Sequence, residues 1–422
     1  MASPLPKRTV LRRSVRRLPR RVARAALIAG SVPVGAAGAI TSIDALRMRR
    51  TTTVHNAPEA PPLAAELEGN TITTYVYGEY LYEAMLRAIE GATEHIYLAS
   101  YIWKGDEVGQ RFKDAVVAAA QRGVQVFIVF DGFANLVVPA AFKTFPREVN
   151  VLQFPTVRGG WRLDARRTGR DHRKVLVVDD EVGFVGGYNI GSQYATQWRD
   201  THVRVEGDTV WELSNTFVDF WNRHCGKRQP QLPDGGAPRW NYPVRAARNE
   251  PSRMVFPVRN VYLEAIDRAS HHLYITQAYF IPDREILQGL LTAAARGVDV
   301  RVITPQRSNH IVADIVARSY VTDLLAGGVR LFLYQDAMVH AKTATADGQW
   351  STVGTANIDR LSMRGNYEVN LEVVDEGQAA VMEEVFAQDL RNCREMTARE
   401  WADRTLRHRL AERVLRPLQP LL

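Results

Sequence analysis

A chain of 422 residues, 46% of them hydrophobic, exceeds one average domain and can bury a sizeable core. Its two cysteines, Cys225 and Cys393, exclude a disulfide scaffold and a cysteine-rich metal site. The net charge of +8 belongs to one end: residues 1–50 hold twelve Lys and Arg against Asp44 alone, so the rest of the chain carries −3. A slightly acidic body argues against a nucleic-acid groove, whereas a basic tail fits an anionic membrane surface.

In chain order, the basic tail (1–24) leads into an uncharged stretch, 25–43, of about bilayer-spanning length. Gly30, Pro33, Gly35 and Gly38 make it a poor helix. The expectation is a membrane anchor with its N-terminus in the cytoplasm; a secretory signal or a plain Arg/Ala-rich extension are the other readings. A linker (44–66), Pro/Ala-rich over 58–65, precedes a first lobe at 67–227. There the pattern predicts a helix at 80–89, a strand at 96–103, a helix at 112–120 and a buried strand at 124–130. Residues 228–251, rich in Pro, Gly and Arg, read as a second linker. The second lobe (252–395) repeats the order: helix 261–266, strand 273–280, helix 286–295, strand 298–303. Alternation of this kind with Gly-punctuated joints predicts parallel βαβ units. The end, 396–422, reads as a basic amphipathic helix with Leu406, Leu410, Val414 and Leu418 on one face.

The repeat sharpens further on. His172, Lys174, Asp179, Gly186, Asn189, Asp200 and Cys225 each have a counterpart 168 positions later: His340, Lys342, Asp347, Gly354, Asn357, Glu368 and Cys393. Only Asp200 to Glu368 changes residue type. A constant offset over that span is an internal duplication. Each His and Lys sit two apart on an expected strand (174–178 and 342–346), so both side chains share one sheet face. A Gly-containing turn then returns the chain to Asn189 or Asn357, with small residues that let backbone amides approach a phosphate.

The residue types suit phosphodiester chemistry. The anion repels nucleophiles, so its oxygens must first be neutralised; Lys174, Lys342, Asn189 and Asn357 supply charge and donors from both halves. A neutral imidazole is the nucleophile available near neutral pH, and a second, protonated imidazole can protonate the leaving alkoxide. Near-identical motifs do not say which histidine attacks.

This pattern, HxK(x)4D(x)6G[GST]xN in two copies, resembles the phospholipase D superfamily, and the resemblance covers residues 67–395. Trp198-Arg199-Asp200 and the run from Asn357-Ile358-Asp359-Arg360 to Asn366-Tyr367-Glu368 look most like bacterial cardiolipin synthases. Leu361-Ser362 stands where the family often has Arg-Ser; Gly187 and Thr355 are both seen at the Gly-Ser position. The resemblance implies two pseudo-symmetric α/β/α lobes, each with a mixed, mostly parallel sheet, and a single active site between them. It implies a covalent phosphohistidine on His172, with His340 as the acid. It further implies that Asp200 and Glu368 orient the histidine of the opposite half, and that Asp179 and Asp347 hold strand and turn in place.

No Cys/His/carboxylate cluster has metal-ligand spacing, so neither a metal nor another cofactor is expected. Arg166, Arg167, Arg170 and Arg173 crowd the first motif, as a solvated loop or as lipid-phosphate contacts. Trp103, Phe130 and Tyr279 read as core, the cysteines as fillers of small apolar sites, and His202, His224 and His310 receive no role. The leading expectation is a phosphatidyltransferase of cardiolipin synthase type at the bacterial cell membrane, peripheral or anchored, acting on phospholipids such as phosphatidylglycerol. No nucleic acid and no obligate protein partner are expected. The alternatives are a hydrolytic phospholipase D, a phosphodiesterase or nuclease, and an idle membrane scaffold.

Overall fold

The computed structural model describes residues 56–155, 169–238, 240 and 243–405. The basic tail, residues 25–43, Arg166, Arg167 and residues 406–422 of the expected terminal helix lie outside the described residues.

The first lobe opens with β1 (Leu63–Leu67), β2 (Asn70–Tyr75), α1 (Gly78–Gly91), β3 (His95–Ser100), α2 (Glu107–Gln121), β4 (Gln125–Asp131) and β5 (Val149–Phe154). It continues through β6 (Val175–Val178), β7 (Val182–Gly186), α3 (Ser192–Thr196), β8 (Trp198–Arg199), β9 (His202–Gly207) and α4 (Val210–His224). The second lobe runs β10 (Val244–Asn249), α5 (Pro257–Arg268), β11 (His272–Gln277), α6 (Arg284–Ala295), β12 (Asp299–Pro305), α7 (Ile311–Arg318) and α8 (Val321–Ala326). Then come β13 (Arg330–Tyr334), β14 (Met338–Val339), β15 (Lys342–Ala346), β16 (Trp350–Gly354), α9 (Arg360–Arg364), β17 (Glu368–Val374), α10 (Glu376–Arg391), β18 (Cys393–Met396) and α11 (Ala398–Ala402). Each lobe builds one eight-stranded sheet, ordered β1-β2-β9-β7-β6-β3-β4-β5 and β10-β17-β16-β15-β11-β12-β13-β18.

Local chemistry sets the ends of these elements, and it is duplicated. Asp106 caps α2 by accepting from Gly109 N, and Asp283 caps α6 by accepting from the Glu285 and Ile286 amides. At the other end of α1, Arg122 donates to the Ile89 and Glu90 carbonyls; Arg296 does the same for Ile266 and Asp267 at the end of α5.

The sheets are mixed, as the resemblance implies, but not mostly parallel. Five of the seven pairings in each are antiparallel. The βαβ units do give parallel pairs, β3-β4-β5 and β11-β12-β13. The repeated motif itself, however, folds as a hairpin (β6-β7, β15-β16), which is antiparallel by construction. Two linker expectations are corrected as well. Residues 244–249 form β10, paired with β17, and residues 63–67 form β1, paired with β2. Their buried residues (Val244, Ala247 and Asn249; Ala65 and Leu67) are too few to show a period inside Pro- and Arg-rich composition.

The lobes share a core. Tyr97, Phe127, Phe217 and Trp221 of the first form one buried cluster with Val353, Tyr367, Val369, Leu371 and Met382 of the second. Separate clusters lie under α1 and α2 on one side and α5 and α6 on the other. The inner cluster therefore holds the two sheets in one fixed relation. Among the described residues, no helix is long and apolar enough to cross a membrane.

The motif aspartates tie each hairpin turn to its neighbouring strand. Asp179 and Asp347 both have φ +54, in the left-handed region that aspartate tolerates because its short side chain bonds nearby backbone. The Asp179 carboxylate accepts from the Thr93, Glu94 and His95 amides at 2.7–2.9 Å and from the Thr93 hydroxyl. Asp347 repeats this with Ser270, His271 and His272. Partial burial pushes Asp347 up, but these four donors together outweigh it and hold its carboxyl down to about 2. A depressed carboxyl stabilises the fold above its unfolded value, and that stability drains away as pH falls through the folded one. We expect Asp347→Ala to lower the unfolding free energy by ~1–3 kcal/mol at neutral pH, read by chemical denaturation. The difference from the parent should shrink between about pH 4 and pH 2.

Candidate active site

Each motif histidine is delivered to the opposite lobe before its side chain does anything. Val339 pairs in parallel with Arg199, and the His340 amide donates to the Arg199 carbonyl at 2.6 Å. In the other half Asp171 pairs with Tyr367, and the His172 amide donates to the Tyr367 carbonyl at 3.0 Å. The residues after Arg199 and Tyr367 are Asp200 and Glu368. Each carboxylate is thereby set beside the imidazole that crossed over: His340 Nδ1 lies 2.6 Å from Asp200 Oδ2, and His172 Nδ1 lies 2.9 Å from Glu368 Oε2. A neutral ring that donates from Nδ1 to a carboxylate keeps its lone pair on Nε2.

The carboxylates are themselves held, by a different device in each half. Asp200 Oδ1 accepts from the Thr201 amide at 2.8 Å, and a Cβ at Gly187 would collide with that same oxygen. In the second half the longer Glu368 leaves room for Thr355, whose hydroxyl donates to Glu368 Oε2 at 2.6 Å. Gly with Asp and Thr with Glu are thus two solutions to one packing problem, and the two departures from sequence symmetry are coupled.

Lys174 and Lys342 are 3% and 1% exposed. Lys174 Nζ donates to the His172 carbonyl at 2.7 Å and lies over the Tyr101 ring. Lys342 Nζ donates to the His340 carbonyl and lies 3.0 Å from His340 Nδ1. Burial pushes Lys174 down to about 7 and Lys342 down to about 8, against the pull of Glu368 and Asp200. Burial also lowers both histidines, His172 with help from Lys174 and Lys342 and against Glu368, and His340 to about 3 with Lys342 reinforcing. Each half feels the other: Lys342 and Glu368 act on Lys174, and Lys174 acts on His340.

Asn189 Oδ1 accepts from the Ile102 amide at 3.1 Å, which leaves its NH2 group to donate elsewhere. Asn357 Oδ1 is buried without a protein partner. Among the described residues, no group of three or more His, Cys, Asp or Glu is arranged to hold a metal ion.

Several contributors escaped the sequence reading. Tyr101 packs edge-on against His172 at 4.5 Å between centroids, and Trp198 lies 5.0 Å from His340. Tyr279, expected in the core, reaches the His340 ring edge-on at 6.4 Å and donates to Asn309. Arg173 is neither a loop charge nor a phosphate contact. It is buried, pairs bidentately with Asp171 and stacks on Phe220. Arg199, also buried, forms a bidentate pair with Asp389 across the lobes at 2.8 Å. Of the positions related by the repeat, Tyr367 sits instead among Phe154, Phe220 and His224, and Trp221 packs against Phe127 and Phe217. The lone sequence signal for that asymmetry was the Trp198-Arg199-Asp200 run.

A family model described as "Cardiolipin synthase, PLD-like domain" matches residues 85–221 and 262–390. The chain is 33% identical over 369 residues to the major cardiolipin synthase ClsA of Bacillus subtilis, covering 84% of this chain and 76% of that one. It is 31% identical over 364 residues to cardiolipin synthase A of Pseudomonas putida, with the same coverage. Among solved structures, a phosphatidylserine synthase from Haemophilus influenzae superposes with a TM-score of 0.63 at 15% identity, over 90% of this chain and 97% of that one. A polyphosphate kinase from Porphyromonas gingivalis reaches 0.53 over 84% of this chain and 53% of that one. Two motif copies, two matched sheets and this breadth of similarity place the chain in the phospholipase D superfamily, within the cardiolipin synthase family of phosphatidyltransferase enzymes.

Proposed function

We propose that this chain is a membrane-associated phosphatidyltransferase that moves a phosphatidyl group through a covalent phosphohistidine to a lipid alcohol such as phosphatidylglycerol. The observation that carries this reading is the crossed pair of carboxylate-oriented imidazoles flanked by two buried lysines.

In the first step Nε2 of neutral His172 attacks phosphorus and the P–O bond to the leaving alcohol breaks. His340 gives its proton to that departing oxygen. Lys174, Lys342, Asn189 and Asn357 neutralise the phosphoryl oxygens while charge builds on them. In the second step neutral His340 takes the proton of the incoming hydroxyl. The new oxygen bonds to phosphorus, the P–N bond breaks, and His172 is released unchanged. The free site favours two neutral imidazoles, so the acid form of His340 arises with the substrate. A phosphodiester anion between the lysines supplies the negative charge that draws a proton onto the ring beside Asp200. Asp179 and Asp347 act from a distance, by fixing the hairpins that carry both motifs.

The slightly acidic body favours lipid over nucleic acid as the source of the phosphodiester. Similarity to bacterial cardiolipin synthases favours transfer over hydrolysis and supports action at the bacterial cell membrane. Residues 25–43 and the basic tail are the proposed means of attachment.

Incubating the purified chain with labelled phosphatidylglycerol separates the readings. Cardiolipin with glycerol is the expected product pair; phosphatidic acid alone would assign the protein to hydrolysis. His172→Ala and His340→Ala should each lower turnover at least ~10³-fold. An acid-labile phosphoryl-protein adduct should form in the parent and be absent from His172→Ala. The adduct persisting in His172→Ala would move the nucleophile elsewhere.

The coupling of residue 187 to residue 200 gives a second test. Gly187→Thr should push the Asp200 carboxylate off His340 and cost about 10²-fold in kcat, since displacements near 1 Å have that effect. Adding Asp200→Glu rebuilds the arrangement of the second half, and kcat should partly recover. A single variant with unchanged kcat would show that His340 does not depend on Asp200.

A further inference from the structure

The loop after β4 presents apolar side chains to solvent from a rigid base. Asp131 Oδ1 accepts from the Phe133 and Ala134 amides at 2.9 and 3.0 Å. Asn135 is 1% exposed; it donates to the Tyr101 and Asp131 carbonyls and accepts from the Trp103 amide. Val138 is buried beneath. Yet Phe133 is 49%, Leu136 60% and Val137 93% exposed. A loop tied this firmly has no conformational reason to hold three large hydrophobics in water.

The second lobe offers three more: Met254, Val255 and Leu361, each about half exposed at 52%, 48% and 49%. A chain of contacts joins the two groups across the lobes, next to the first motif. The Arg170 guanidinium lies 4.5 Å over the Phe133 ring, and Arg170 N donates to Asn366 Oδ1. The Asn366 amide in turn donates to the Leu361 carbonyl. Gly169 packs against Pro251, at the start of the turn that carries Met254. Arg170 is two residues from His172. Arginines rim the apolar surface: Arg170, Arg253, Arg360 and Arg364. Among the described residues Arg253 and Arg364 make long ion pairs of 3.6 Å with Glu250 and Asp283, at side chains more than half exposed, which an anionic headgroup can replace at little cost.

We propose that Phe133, Leu136, Val137, Met254, Val255 and Leu361 form one docking surface that enters the headgroup layer of an anionic bilayer and sets the seam against it. Apolar side chains ringed by arginines match the two parts of that layer, acyl boundary and phosphate. Contact at this face brings a lipid phosphate to His172 without lifting the acyl chains through water. The role proposed for this surface differs from that proposed for residues 25–43: an anchor keeps the chain near the membrane, whereas this face aims the site. The proposal rests on the lipid-transfer reading above.

The test uses the full chain with two substrates, phosphatidylglycerol in phosphatidylcholine vesicles and a short-chain phosphatidylglycerol dispersed as monomers. Leu136→Asp combined with Val137→Asp should lower turnover on vesicles at least ~10-fold, from the lost burial of two side chains. Turnover of the dispersed substrate should stay within about twofold, as for ordinary surface changes. Equal turnover of both substrates by parent and variant overturns the docking surface and leaves the transfer reading intact; a parent that turns over neither substrate overturns both. To guard against a disturbed fold in the double variant, an environment-sensitive dye is placed on Val137→Cys in a Cys225→Ser, Cys393→Ser background. Its emission should shift to the blue when vesicles are added. An unchanged emission contradicts insertion, and a blue shift that appears on raising protein concentration without vesicles assigns the face to a second copy of the chain instead.

Discussion

The site depends on one exchange: each lobe hands its histidine to a carboxylate of the other. The exchange begins in the backbone, where short parallel contacts at Arg199–Val339 and Asp171–Tyr367 fix the approach of both histidines. The side chains then follow from adjacency, because Asp200 and Glu368 come next in sequence after the residues that receive the bridge. Neither lobe alone holds an oriented imidazole. The shared inner core, from Tyr97 and Trp221 to Val369 and Leu371, keeps the crossed geometry in register.

Burial gives the site its electrostatic character. Two lysines, His340 and two carboxylates are buried and His172 is largely so, and desolvation lowers the proton affinity of every basic group among them. Such a site is poised for an anion. Negative charge between Lys174 and Lys342 offsets their desolvation and raises the neighbouring histidines, so substrate binding itself can prepare the acid. The two halves are not equivalent in their surroundings. His340 approaches beside the Arg199–Asp389 pair, and His172 beside the aromatic cluster at Tyr367. That difference gives two near-identical motifs distinct surroundings.

Much of this was legible in the chain. The offset of 168 between His172 and His340, carried through Asn189, Asp200 and Cys225, defined the duplication and the candidate site together. The βαβ units were legible from periodicity, because their helices and strands are long and strongly patterned. The sheet direction was misread, since period-two alternation says nothing about which way a strand's neighbour runs; the hairpin turn at Asp179 settled that, through a backbone conformation no composition reveals. Strand β10 hid because Arg245 and Arg248 resemble linker residues, although Arg248 is partly buried and bonded to Asn215 and Asp219. The Arg199–Asp389 pair and the Tyr101–His172 contact bridge distant parts of the chain, and only folding makes them neighbours. A second offset, 177, linking His95 to His272 and Asp106 to Asp283, was present in the sequence and shows its meaning only once both helix caps are seen.

The central claim is that both halves grip a single phosphoryl centre. Calorimetric titration of the protein with orthovanadate, a phosphoryl mimic, tests it most directly. The account predicts one oxyanion bound per chain, with affinity lost in Lys174→Ala and in Lys342→Ala alike. Two oxyanions per chain, each sensitive to only one of the lysines, would mean two independent half-sites and would contradict it.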